Sequence, residues 1–311
     1  MNDDAARRIA DAVLYEGYVL WPYRRSALKN QRRWTFGGVY PQTWSASAPD
    51  DPWRAQTQCL LEGVDAAVAV HVRFLQVVER VVRDANGERV DELEIAGARW
   101  LSWDEAIERE VGPGAIDVEP DSATELLPAG AGTVVRSWEP LRGRVEVAVE
   151  PVADAVQQVT VTVENTTPFG GGDRERALRR SFCSTHAVLR AERGRFVSLT
   201  DPPPELAQAA QVCENVGTWP VLVGDEGDRQ TMLSSPIILP DYPQVAPESP
   251  GDLFDATEID ELLVLNVLAL TDEERAEVRA SDPRARELLD RCASLSEEQL
   301  MRLHGAVREF R

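Results

Sequence analysis

The sequence predicts an α+β protein, and three observations carry that expectation. Valines alternate with other residues at Val68, Val70 and Val72, at Val145, Val147 and Val149, and at Val159, Val161 and Val163, the period-two signature of half-buried strands. Capping signals and apolar residues at helical spacing gather at the two ends of the chain. Turn-forming stretches punctuate the middle, Asn86-Gly87 being the clearest. The expected organisation is an N-terminal hairpin-containing α+β unit over 1–125, a central antiparallel β-sandwich-like part over 134–240, and a Pro-rich loop with a helical unit over 241–311.

Residues 3–14 place Ile9, Ala12 and Val13 at helical spacing. The stretch Tyr15 to Pro41, YEGYVLWPYRRSALKNQRRWTFGGVYP, follows; Trp21-Pro22 and Gly37-Gly38 break any long helix there, so it reads as extended with a central turn. A hairpin comes next, 67–84 and 89–100 around Asn86-Gly87 in an expected type I′ turn. Its alternation of Val68, Val70, Val72 and Phe74 slips near Leu75, where a bulge would switch the buried face. Trp100 to Val111 reads as a strand exit into a helix, with Ser102 as cap and Glu105 three residues on. The Gly- and Pro-containing stretch 112–132 is the expected first boundary.

In the middle part the valine runs at 145–149 and 159–163 give two strands, and 178–189, 195–199, 218–223 and 232–239 supply further candidates. After Pro240 come prolines and then helix signals. Thr257 with Asp260, Thr271 with Glu274 and Ser296 with Gln299 have capping-box spacing, and Pro283 fits a first helical position. Leu300, Leu303, His304 and Val307 form one apolar stripe, so this unit is expected to dock on the sheet or on a partner.

The stretch from Trp21 to Arg33 is a basic island in an acidic chain. Arg24, Arg25, Lys29, Arg32 and Arg33 stand there with no acid among them, and without these five positive charges the net −20 of the chain becomes −25. Such a segment meets either its own protein's acids or an external anion. As a recognition surface the four arginines and Lys29 bind an acidic partner or phosphate while Trp21, Tyr23 and Trp34 stack. In the internal alternative the arginines pair with acids of the same domain and the aromatics fill its core.

Cys183 and His186 in FCSTH have C-x-x-H spacing, and thiolate and imidazole suit nickel, iron or zinc. Residues three apart on a regular strand face opposite ways, so the pair would need a bulge to converge. Cys213 is a candidate third ligand, with Cys59 or His71 behind it; the plainer reading is buried cysteines and a hydrogen-bonded histidine. A Cys-His nucleophile and base is a further option, with no orienting residue beside it in sequence. The acids from Glu248 to Glu261 lack calcium-loop spacing and read as helix-start solvation, and Gly170-Gly171-Gly172 lacks the Lys-Ser/Thr of a phosphate loop. No Rossmann fingerprint, GxSxG or HExxH occurs.

The four cysteines are widely spaced, as suits reduced thiols, and the N-terminus is acidic rather than signal-like, so a cytoplasmic location is expected with no membrane span. The acidic excess weighs against general nucleic-acid binding.

The motifs YEGYVLWPYRRSALKNQRRWTFGGVYP, SFCSTHAVLR with NVGTWPVLVG, and LSSPIILPDYPQVAPESPGDLFDATEIDELL resemble a family of accessory proteins encoded in bacterial, notably actinobacterial, gene clusters for oxygen-tolerant NiFe hydrogenases. The resemblance covers nearly the whole chain and implies a context, hydrogenase assembly or maturation, without catalytic residues. The expected function is therefore a non-catalytic accessory protein whose partner is a hydrogenase subunit or maturation factor, with no cofactor required. The alternatives are a metal- or cofactor-handling protein using Cys183, His186 and Cys213, and a single-stranded nucleic-acid binder using the island.

Overall fold

The computed structural model describes residues 2–15, 36–244, 264 and 266–295. It has mixed helices and one large antiparallel sheet. Helix α1 (Asn2–Tyr15) comes first and the short α2 (Gln42–Ser45) precedes β1 (Arg54–Asp84), a strand of 31 residues that organises the rest. At about 3.3 Å per residue a straight strand of that length would run roughly 100 Å. Register shifts against its neighbours after Glu62, after Ala67 and between Arg73 and Leu75 bend it instead.

The bulge expected near Leu75 is not in β1, which pairs with residues 103–111 without a break from Val72 to Arg80; the extra residue stands on the opposing strand, between Cys183 and His186, and both faces of β1 are buried here. Val70, Val72 and Phe74 enter one core cluster, whereas Leu75 and Val77 enter another on the opposite face. At the end of β1 the turn differs from expectation. Gly87 takes φ +82° while Asn86 keeps negative φ, and Gly87 N–H donates to Asp84 O at 2.9 Å, so the turn is type I closed by a left-handed glycine. Asp84 imposes this, because its carboxylate accepts from the N–H groups of Asn86 and Glu88, both at 2.9 Å.

The chain then forms β2 (Arg89–Val90), a small separate hairpin of β3 (Glu92–Ile95) and β4 (Ala98–Leu101), and β5 (Trp103–Val111). The helix expected over 100–111 is thus a pair of strands. Residues 103–111 pair antiparallel with 72–80 of β1, which satisfies their backbone groups. Ser102, the expected cap, donates its hydroxyl to Val90 O at 2.6 Å and accepts from Val82 N–H at 2.9 Å.

The expected boundary at 112–132 is also part of the sheet. It holds β6 (Gly114–Val118), β7 (Asp121–Leu126) and a 3-10 turn at Pro128–Gly130. Then follow β8 (Gly132–Trp138), β9 (Leu141–Ala153) and β10 (Val156–Asn165), and the two valine runs pair as Val145↔Val163, Val147↔Val161 and Val149↔Val159. Helix α3 (Arg174–Leu178) takes the start of the strand expected at 178, and β11 (Cys183–Val197), α4 (Ala207–Gln211), β12 (Trp219–Leu222) and β13 (Thr231–Ser235) complete the sheet. Its path is β12-β13-β11-β1-β10-β9-β6, with β2, β5 and β8 on the far half of β1 and β7 beyond β8. β1 therefore hydrogen-bonds strands from both sides of the expected 125/134 division.

Helix α1 lies on the β12–β13 end through Ala6, Ile9, Ala10 and Val13, against Val221, Val223 and Leu233. Near the C-terminus are α5 (Asp272–Ser281), started by the Thr271–Glu274 capping box, and α6 (Pro283–Ala293), capped by Asp282 with Pro283 first. Val278, Ala285, Leu288, Leu289 and Cys292 bury against Leu75, Val77 and Leu178, so these helices dock on the sheet. The boxes expected at 257–260 and 296–299 and the stripe at 300–307 lie outside the described residues.

Candidate functional site

Trp21, Tyr23, Arg24, Arg25, Lys29, Arg32, Arg33 and Trp34 lie outside the described residues, as does most of the Pro-rich stretch 241–255. The flanks of the island are described, and both end at the same place. Ser184, near the start of β11, donates its hydroxyl to Val13 O at 3.0 Å and its backbone N–H to Phe36 O at 3.3 Å. Thr185 N–H reaches Gly37 O at 2.9 Å, and Val39 and Phe182 exchange backbone bonds of 2.8 and 3.0 Å. Ser184 holds φ +51°, a left-handed conformation uncommon for a residue with a side chain. Gly37 sits at φ +58°, and a Cβ there would stand 2.6 Å from Pro236 Cγ, so the Phe36-Gly37-Gly38 sequence answers a backbone requirement.

A charge cluster fixes the outgoing flank. The Tyr15 hydroxyl donates to Glu108 Oε1 at 2.5 Å, and the Arg284 guanidinium lies 3.6 Å above the Tyr15 ring while pairing with Glu108 at 2.8 Å. Arg73, with only 7% of its side chain exposed, pairs with Asp11 at 2.6 Å and Glu108 at 3.4 Å. Glu110 stands 3.9 Å from Arg73 and 3.5 Å from His71. Burial works to raise the Glu108 carboxyl, but the Tyr15 hydroxyl and the Arg284 and Arg73 charges hold it below its ordinary value. Helix α1, strands β1 and β5, and helix α6 are thus tied together at one point. Beside the returning flank, a cavity of about 260 Å³ is walled by the half-exposed rings of Phe36 and Trp219, by Pro236, and by Asp50 and Asp51. Asp51 accepts from Trp44 Nε1 at 2.9 Å and pairs with Arg174 at 3.4 Å.

The Cys183–His186 pair meets the bulge it needed. Opposite Arg73 and Leu75, which are two apart on β1, stand His186 and Cys183, three apart on β11, so the extra residue brings both onto one face. Both are sealed from solvent, Cys183 at 0% and His186 at 2% exposure. His186 Nδ1 lies 3.1 Å from Ser184 O, which makes it the protonated nitrogen and leaves Nε2 a buried acceptor with no partner among the described residues. Burial, with the Arg73 charge across the ladder, pulls its pKa down to about 4. Cys213 is elsewhere: it packs near Leu60, Val156 and Leu206, a cluster separate from that of Cys183, and receives Gln158 Nε2 at 3.7 Å. The fold does not gather the three proposed ligands, and among the described residues no group of three or more His, Cys, Asp and Glu could hold a metal ion. The four cysteines form no disulfide.

Sequence reasoning missed Ser184, Tyr15, Arg73, Glu108 and Arg284. Ser184 stands inside the motif that drew attention for its cysteine and histidine, and the bulge requirement of that motif was the available signal. Glu108 lay within the expected helix. Among the described residues no helix is long and apolar enough to cross a membrane. No protein-family model and no curated protein matches the chain, so the resemblance to hydrogenase-cluster proteins rests on its motifs.

Proposed function

We propose that this chain is a non-catalytic accessory or assembly protein that presents the basic aromatic segment, from a fixed root on a β-sandwich-like scaffold, to an acidic protein partner. The observation that carries this reading is the attachment of both described flanks, through Val13 O and Phe36 O, to Ser184 on β11. The acids around this attachment support it further. Among the described residues, Asp11, Glu108 and Glu110 are engaged by Arg73 and Arg284, and Asp51 by Arg174 and Trp44, while Asp50 stands exposed beside the returning flank. The planar guanidinium groups of the island's arginines suit the carboxylates of such a partner. The partner class, a hydrogenase subunit or maturation factor, and a cytoplasmic setting follow from the motif resemblance and the sequence.

The test is charge reversal at Arg24 and Arg32 together. The double variant R24E/R32E should keep the circular dichroism and melting temperature of the natural chain and lose partner capture completely. Unfolding of the variant would mean that the island belongs to the core and would end the proposal.

A further inference from the structure

A cavity of about 510 Å³ lies between β1, the β7–β8 hairpin and the end of α3, within the range of small-ligand sites. Its walls include the cross-strand pair Ser122 and Ser137, the half-buried Trp138, and the carboxylates of Glu79, Asp121 and Glu139. No hydrogen bond engages either serine hydroxyl among the described residues, and the Asp121 carboxylate meets only the neighbouring Ser122 N–H at 2.7 Å. Glu79 is already paired with Arg179 at 3.0 Å and Arg89 at 3.2 Å, and Glu139 with Arg180 at 2.8 Å.

These groups discriminate among ligand classes. An anion would meet three carboxylates, and Arg179, the arginine among the described wall residues, has its terminal nitrogens committed to Glu79, Asp104 and Glu175. An apolar ligand would strip water from carboxylates and hydroxyls without replacing it, which disfavours it. A cation would find Glu79 and Glu139 neutralised by their arginines. A neutral ligand with closely spaced hydroxyls fits each wall. Its O–H groups donate to ion-paired carboxylates that remain acceptors, the serines both donate and accept, and its C–H face lies on the indole. We propose that this cavity binds a neutral polyhydroxylated ligand, a mono- or disaccharide.

The experiment is titration of the full chain with glucose, galactose, mannose and trehalose, read by calorimetry and by amide chemical shifts, with tetramethylammonium as the cationic control. The expected result is saturable millimolar binding of at least one sugar, weakened at least tenfold in Asp121→Ala and in Trp138→Leu. Asp121 is exposed, so D121A keeps the test decisive if W138L fails to fold. Binding of none of the four sugars, sugar binding that D121A leaves unchanged, or saturable binding of tetramethylammonium alone would each overturn the proposal.

Discussion

At the residue scale, His186 shows how a short motif acquires meaning only from its place in the fold. C-x-x-H was legible as a pair that needed a bulge to meet, and the bulge exists. What the spacing could not contain was the sealing of both side chains from solvent, since that depends on α1 and the flanks of the island closing over the start of β11. Neutral His186 is the native form, with its pKa lowered from 6.5 to about 4 by burial and Arg73. A histidine lowered in the folded state contributes its stability fully above pH 6.5 and loses it as pH falls towards 4, because the unfolded chain binds the proton first. The shift corresponds to an effect on the order of 3 kcal/mol. Glu108, the charged neighbour from β5, acts in the same direction at lower pH, as its carboxyl is also lowered. Melting temperature measured between pH 6.5 and 4 should therefore fall in the natural chain and fall distinctly less in His186→Leu. Parallel profiles would show that His186 is not the group responsible.

At the element scale, regular alternation was readable wherever a strand has one buried and one wet face. Val145–Val149 and Val159–Val163 pair with one another, with Val145 and Val147 on one strand and Val159, Val161 and Val163 on the other recurring at every second position against the core, while Val149 is exposed. Trp103–Val111 was misread because a Ser and Glu at capping distance look the same in sequence whether or not a partner strand exists. Its partner is the middle of β1, and that pairing overrides the local signal. β7 gave no period at all, all six of its residues being exposed. The bends of β1 rest on close backbone contacts. Gly194 holds φ +100°, and a Cβ there would lie 2.4 Å from Glu62 O, beside Gly63 where the register shifts. Gly194→Ala should cost about 2 kcal/mol or more in urea denaturation; a neutral result would mean that the β1–β11 crossing relaxes freely. Thr271→Ala removes one side of the α5 capping box and should cost about 1 kcal/mol. Hydrogen exchange should place that loss in α5, and unchanged protection there would contradict the role of the box.

At the scale of the whole molecule, β1 draws strands from both sides of the expected division into one sheet, with α1, α5 and α6 docked on it. Composition could not foretell that, since a 31-residue strand is built by partners along both its edges and not by its own pattern. The charge anomaly was legible from the outset: five positive charges in a chain whose remainder carries −25. The fold adds the root, Ser184 and the Tyr15–Glu108–Arg284 clamp, where both flanks of that segment are fixed. The most direct measurement is affinity purification of the tagged natural chain and of R24E/R32E from the native host, with mass spectrometry of the recovered proteins and metal analysis of the same samples. The account predicts a stoichiometric acidic partner, a hydrogenase subunit or maturation factor, with the natural chain and its loss with the folded variant. The same partner recovered with both proteins, or stoichiometric nickel, iron or zinc bound to the purified chain, would contradict it.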